Sequence, residues 1–297
     1  MIYIRLRGRA GNQLFIYAFA RNLNLTTNQP VTICTRIDSK KDKKFSKFQN
    51  DLKEFNISPE IKFDSTFKFP WFANNDFMLI KVIRKLAPTF LWKIMSKFNV
   101  FLWFEETYKK IEINSKKDAY LDGFWQSEKY FIENYEQIVG NEFSIKKDIS
   151  RSNQCLLEEI LNSESVCVTI RRGDYLVDKK IKRDYYVCDE AYFEKAMEKI
   201  LKIKPNSRFI VFSDDIEWVK NTLNFPEGTL FESGNDSISE KLFLMSSCKN
   251  FILSNSSFSW WAQEMSKHKN KVVISPLFWY RDKRKCDIYK DDWIKLN

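Results

Sequence analysis

From about residue 150 onward, short apolar runs alternate with stretches of helical periodicity. Val166 to Ile170 forms a β-rich run that opens into the polar Arg171-Arg172-Gly173-Asp174-Tyr175. Tyr192, Phe193, Ala196, Met197, Ile200 and Leu201 then recur at the spacing of one helix face. A second strand, Phe209 to Phe212, ends in Ser213-Asp214-Asp215, and a third, Phe251 to Leu253, ends in Ser254-Asn255-Ser256-Ser257. Between them, Ser237 and Glu240 stand at capping-box spacing ahead of a helix through Leu242, Leu244 and Met245. A helix through Trp260, Trp261 and Met265 and a strand at 272–274 follow. Strands separated by helices predict a parallel sheet with crossover helices. Ligands of such sheets bind beyond the carboxyl ends of the strands. Three polar loops should therefore meet at one place.

The first half opens in the same way. A strand from Ile2 to Leu6 passes through Gly8-Arg9-Ala10-Gly11-Asn12-Gln13 into a helix over Leu14 to Leu23, the start of a second Rossmann-like unit. The segment 66–106 is harder to read. Between Phe67 and Phe104 stand eleven aromatic residues and six Lys/Arg, with Asp76 the only acid and Pro88 as a break. One reading is a helical subdomain with an aromatic core; the other is a basic, aromatic surface resting on anionic lipid.

Composition narrows the chemistry. The 297 residues hold one histidine, His268, which excludes multi-histidine metal centres and leaves no histidine to spare for a hydrolase triad. Six cysteines without C-x-x-C spacing, two of them (Cys167 and Cys248) in apolar runs, fit a reduced cytoplasmic setting. Met1 leads straight into strand-like residues, so no signal peptide is expected. No uncharged run exceeds 14 residues, too short to span a membrane. A formal net charge of +10 points to an anionic partner: nucleic acid, a membrane surface or a phosphorylated small molecule. No nucleic-acid module is recognisable, and no nucleic-acid partner is expected.

Arg171 and Arg172, at the mouth of a strand, suit a diphosphate because each guanidinium can donate a bidentate pair. Asn255, Ser256 and Ser257 lie at a helix start, where backbone amides and the helix dipole favour phosphate; ordinary capping by Ser257 or Ser259 is the structural alternative. Gly8-x-x-Gly11 lacks the third glycine of a dinucleotide fingerprint, and there is no P-loop. There is also no Asp-x-Asp pair, so neither a metal nor another cofactor is expected; arginines and helix-end amides would stabilise a departing diphosphate.

Four segments, in order, resemble the α-1,2-fucosyltransferases of glycosyltransferase family 11. The family's G-x-x-G-N-Q-x-F signature reads here from Gly8 to Phe15, and its L-x-G-F-W-Q-S-E-K-Y-F segment from Leu121 to Phe131. Its H-x-R-R-G-D-Y motif reads from Thr169 to Tyr175. The E-D-L-x-L-M-S-x-C-K and N-S-S-F-S-W-W blocks read from Glu240 to Lys249 and from Asn255 to Trp261. The resemblance implies an α/β, GT-B-like fold: two Rossmann-like domains, 1–149 on the acceptor side and 150–297 for GDP-fucose, facing a central cleft, with a helical aromatic-rich insertion in the first. It further implies metal-independent, inverting transfer of fucose from GDP-β-L-fucose to the 2-hydroxyl of a terminal galactose in a cell-surface glycan.

Carried over by position, Arg171 and Arg172 would bind the diphosphate of the donor and Ser256, Ser257 and Ser259 would line its cradle, with Asp215, Glu240 and Asn255 as further donor-binding candidates. Gly11, Asn12 and Gln13 would face the cleft from the N-terminal domain. Besides Arg171 as the catalytic cation, Asp174, Glu128 and Asp215 are candidates for the base. Two departures stand out: the family's histidine before the arginine pair is Thr169, and the acid after Glu240 is Lys241. They leave open a relative that uses another donor or acceptor. For Glu240 itself, a place in a capping box is the competing explanation.

Overall fold

Among the described residues every strand pairing is parallel, as alternating strands and crossover helices require. The computed structural model describes residues 1–36, 50–75, 77–173, 179–234 and 236–297, and the chain divides into two compact units. One comprises 1–144 with 286–288, the other 145–285 with 289–297.

The first unit runs β1 (Ile2–Arg5), α1 (Ala10–Thr27), β2 (Val31–Cys34), β3 (Ile61–Asp64), α2 (Met78–Leu86), α3 (Pro88–Met95), β4 (Val100–Trp103) and β5 (Ala119–Gly123). Its sheet has the order β3-β2-β1-β5-β4. Helix α1 is buried almost all round from Ala10 to Leu23, which explains its nearly unbroken apolar sequence. It ends on Asn28 in the left-handed region, at φ 53°. Tyr17 and Arg21 on α1 both donate to the Glu142 carboxylate, at 2.5 and 2.8 Å.

The segment 66–106 is not helical throughout. Helices α2 and α3 abut at Ala87, with Pro88 opening α3 where its missing N–H is harmless. Residues 100–103 then form the fully buried strand β4. A strand buried on both faces is a continuous apolar run, and periodicity cannot separate it from a buried helix. The aromatics of the segment divide accordingly. Phe69, Trp92, Phe101 and Trp103 are buried, whereas Trp71, Phe77, Phe90 and Phe98 are exposed.

The second unit contains α4 (Arg151–Asn162), β6 (Glu164–Ile170), α5 (Lys179–Tyr185), α6 (Glu190–Ile203), β7 (Ser207–Ser213), α7 (Ile216–Thr222) and β8 (Leu230–Phe231). It continues through α8 (Ile238–Ser246), β9 (Asn250–Ile252), α9 (Ser257–Glu264), β10 (Val273–Pro276) and β11 (Ile294–Leu296). Its sheet order is β11-β10-β9-β6-β7-β8. Asp189 caps α6 by accepting from the Tyr192 amide. The apolar face of α6, from Tyr192 to Ile200, packs on Val166, Val168, Phe209, Val211, Ile252 and Ile274. Trp260 and Trp261 are core residues, at 1% and 0% exposure.

The second sheet reverses its winding direction once: it runs outward from β6 through β7 to β8, then returns to the other side of β6 with β9, β10 and β11. The first runs from β1 through β2 to β3, crosses to the far edge at β4, and comes back inward to β5 beside β1. The reversal in the second sheet opens a crevice at the carboxyl ends of β6 and β9.

The turn after β1 depends on Gln13, which is 2% exposed. Its Nε2 donates to the Gly8 carbonyl at 3.0 Å and its Oε1 accepts from the Asp51 amide at 2.9 Å. Gln13→Leu keeps the volume and strands both backbone groups. It should lower the unfolding free energy by about 3 kcal/mol in urea titrations, with an unchanged m-value.

Candidate active site

The switch point of the second unit lies between β6 and β9, and the loops that leave these strands are the arginine pair and the serine turn. Thr169 joins them. Its hydroxyl donates to the Ile252 carbonyl at 3.3 Å and accepts from the Ser254 amide at 3.0 Å. At the position where the family resemblance puts a histidine, a buried hydroxyl thus ties β6 to the loop after β9.

Register fixes the arginines on the other side. Ile170 pairs with Ser213, so continuing both chains by one and two residues sets Arg171 beside Asp214 and Arg172 beside Asp215. The ion pairs follow that register. Arg171 Nη1 lies 2.9 Å from Asp214 Oδ2, and Arg172 Nε lies 3.4 Å from Asp215 Oδ2. Asp214 also accepts from the Arg172 amide at 2.8 Å. The Arg172 guanidinium lies over the Trp218 ring, a cation–π contact that fixes its plane. Gly173 leaves the room this requires, because a Cβ there would fall 2.5 Å from Asp214 Oδ2. Asp214 is not among the residues that the sequence motifs single out; only the β6–β7 register distinguishes it from Asp215. Asp215 instead holds Arg172 and caps α7 through the Trp218 amide.

The residues of the serine turn divide by role. Ser256, not Ser257 or Ser259, caps α9 by accepting from the Phe258 amide at 3.3 Å. Ser257 begins the helix and is half-buried. Ser259, 3% exposed, turns inward to the Ser254 hydroxyl at 3.0 Å. Asn255, 2% exposed, donates to the carbonyls of Tyr185 and Trp279 at 2.7 and 2.9 Å and so pins three segments together. Ser259 and Asn255 were expected at the donor; their polar atoms shape the turn from within. A cavity of ≈ 300 Å³ opens at the end of β10, lined among others by Tyr186, Phe278, Tyr280, Arg281 and Lys283.

Glu240, also expected at the donor, has a structural employment. Its amide donates to Ser237 Oγ, half of a capping box. Its Oε1 accepts from the Ser150 amide and hydroxyl and from Asn153 Nδ2, at 2.8, 2.6 and 2.9 Å, at the start of α4. Burial alone would raise the Glu240 carboxyl, but these hydrogen bonds outweigh it and hold the group below its usual range. Lys241 has its own partner, the buried Glu232, at 2.6 Å. Burial pushes the Glu232 carboxyl up, and Lys241 counters part of that.

Asp174 lies outside the described residues. Glu128 belongs to the first unit, half-buried in a single turn capped by Ser127. Asn12 and Gln13 lie in the first turn of α1, which follows β1. Asn12 Oδ1 accepts from Gln126 Nε2 at 2.6 Å, joining the start of α1 to the loop after β5. Gly11 and Gln13 are buried and serve the turn. No motif marks Asp122, fully buried on β5, which takes Arg7 Nη2 at 2.7 Å and lies 3.6 Å from Arg5 Nε. Nor does any sequence signal mark Trp125 as strained; its φ of 55° is rare for a bulky residue. Among the described residues no group of three or more His, Cys, Asp or Glu is placed to hold a metal ion.

The chain belongs to glycosyltransferase family 11: the model of that family, Glycosyl transferase family 11, matches residues 1–297. It is 26% identical over 317 residues to the O-antigen biosynthesis glycosyltransferase WbnK of Escherichia coli, covering 99% of this chain and 100% of that one. It is 27% identical over 308 residues to an alpha-1,2-colitosyltransferase of Escherichia coli, covering 100% and 99%. Human galactoside alpha-(1,2)-fucosyltransferase 1 is 28% identical over 211 residues, covering 66% of this chain and 56% of the human protein. A solved structure of NodZ, an alpha-1,6-fucosyltransferase soaked with GDP-fucose, superposes over 89% of this chain and 92% of its own. The TM-score is 0.52 and the identity 14%, a likeness of fold.

Replacing Lys241 tests its pairing. Lys241→Met leaves Glu232 buried without its cation, and should cost about 3 kcal/mol of unfolding free energy near neutral pH. Because the folded-state pKa of Glu232 is raised, the loss should be greatest above that pKa and shrink on acidification through it. Denaturant melts of both proteins across the acidic range measure this.

Proposed function

We propose that this protein is an α-1,2-fucosyltransferase that moves L-fucose from GDP-β-L-fucose, with inversion, to the 2-hydroxyl of a terminal galactoside in a cell-surface glycan. The single observation that carries the reading is the arginine pair at the β6 end, held by Asp214 and Asp215, on a strand whose neighbour β9 leads into the capped start of α9. Two guanidiniums and a helix N-terminus together match a diphosphate leaving group. The family supplies the reaction class. The α-1,2 linkage in the names of the colitosyl and fucosyl relatives supports the regiochemistry.

Glycosyl transfer passes through an oxocarbenium-like state, so charge must be neutralised on the departing GDP while the acceptor hydroxyl loses a proton. Arg171 and Arg172 take the first task. Their pairing with fixed carboxylates preorganises them before the donor arrives, which limits reorganisation during bond cleavage. Ser256 and Ser257 belong to the diphosphate cradle. For the base, Asp215 holds Arg172 and accepts from the Trp218 amide, and Glu128 and Asp174 are the other candidates. The acceptor side is assigned to the first unit. No metal takes part in this reading: the sequence lacks the Asp-x-Asp pair that metal-dependent transferases use.

A second reading has a specific motive, the full-length similarity to a colitosyltransferase. Colitose differs from fucose by one missing hydroxyl. A site that hydrogen-bonds that hydroxyl discriminates against the analogue by about 10⁴-fold or more, whereas an apolar site distinguishes the two weakly. Side-by-side transfer from GDP-fucose and GDP-colitose to galactose-terminated acceptors separates the readings. Preferred transfer from GDP-colitose would displace fucose as the donor.

Arg171→Ala should keep the fold and lower kcat by about 10²- to 10³-fold, as loss of a transition-state charge donor does. Asp214→Asn should lose less. Wild-type turnover by a folded Arg171→Ala protein contradicts the assignment. Activity should also survive chelator; loss restored by manganese would refute the metal-free mechanism.

A further inference from the structure

Helices α2 and α3 of the first unit carry a second apolar stripe on their exposed side. On α2, Met78, Val82 and Leu86 stand at i, i+4 and i+8, are 80%, 47% and 78% exposed, and have exposed Leu79 alongside. Phe90, Ile94 and Phe98 repeat the spacing on α3 and the single turn that follows it, again exposed. The inner faces are satisfied separately: Ile80 and Leu91 pack with Phe69, Val100 and Leu102. The outer stripes are therefore a second apolar surface, distinct from the core beneath, and clustered exposed apolar side chains of this kind mark interaction sites.

Its cations are placed just as regularly. Lys81 and Lys85 border the α2 stripe and Lys93 and Lys97 the α3 stripe, each pair one helical turn apart and all four exposed. Exposed Trp71, Phe72 and Phe77 continue the surface. Between Phe67 and Phe104 the sequence holds a single acid, Asp76.

We infer that this face is a docking surface for an anionic phospholipid bilayer. Acyl chains would cover the Met78, Val82, Leu86 and Phe90, Ile94, Phe98 stripes, and lipid phosphates would pair with the lysines. Charge argues against a second copy as occupant, since a twofold contact sets the same patch against itself and brings lysines together. Aliphatic Met, Val, Leu and Ile offer nothing to nucleic-acid bases. No helix among the described residues is long and apolar enough to cross a membrane, so the attachment is in the plane of the surface. The inference does not depend on which sugar is transferred.

Vesicle sedimentation of the full chain tests it. The wild-type protein should partition onto phosphatidylglycerol-containing vesicles, weakly onto pure phosphatidylcholine, and less as salt rises. The double change Lys81→Gln, Lys85→Gln should lower partitioning by about tenfold. Val82→Glu with Leu86→Glu should reduce it at least as much. These positions are exposed, so melting temperature and transfer to a soluble acceptor should stay at wild-type values, which keeps this test separate from that of the donor. A wild-type chain that remains in the supernatant with both vesicle types overturns the inference. So does a glutamate variant that sediments like wild type. Self-association in solution that Leu86→Glu abolishes, without vesicle binding, gives the surface to a second copy and overturns it too.

Discussion

Two guanidiniums on one short loop repel each other and lose rotamer entropy when ordered, so a rigid counter-charge must hold them. Asp214 meets this constraint from the neighbouring strand. One carboxylate takes the Arg171 side chain and the Arg172 backbone together. The geometry requires β6 and β7 to stay in register over their seven paired residues, and the core beneath, with α6 packed on Val166, Val168, Phe209 and Val211, enforces that register. A slip of one residue would turn every buried side chain to the opposite face. The position of charge at the strand ends thus follows from hydrophobic packing some distance below.

Much of the second unit was legible because each of its strands is an apolar run ended by a polar loop. The parallel arrangement follows from the intervening helices. Once the sheet order places β9 and β7 on either side of β6, the three loops must adjoin. The sequence could not decide which polar side chains within those loops turn into the core. Asn255 and Ser259 look the same in a motif as Ser256 and Ser257, yet α9 starts at Ser257, and that start puts Ser259 on its buried face with Ala262 and Gln263. Asp214 and Asp215 are likewise indistinguishable until the register is known. In the first unit β4 escaped recognition because four consecutive apolar residues have no period. The employment of Glu240 escaped because its partners, Ser150 and Asn153, lie about ninety residues away in sequence.

The two departures from the family pattern have local physical explanations. Thr169 preserves a side chain able both to donate and to accept, and spends both capacities on joining β6 to β9. Its place deep in the sheet, 3% exposed, gives it the part of a strand tie. Lys241 has a carboxylate waiting in Glu232, whose side chain is wholly buried. With an acid at 241, two carboxylates would share one desolvated site, and one of them would have to bind a proton. Lysine at 241 and glutamate at 232 therefore belong together, and the charge at either position has a physical reason only in the presence of the other.

The first unit shows the same economy of charge in a different place. Arg5 and Arg7 converge on the buried Asp122 at the ends of the neighbouring strands β1 and β5. Gly8 at φ 69° and Trp125 at φ 55° bend the two loops that leave those strands, while Asn12 and Gln126 join them. Strained backbone persists only where its surroundings over-determine it. Here the surroundings are Phe19 and Tyr130, packed on the Trp125 ring. A loop held this firmly resists rearrangement when a ligand arrives.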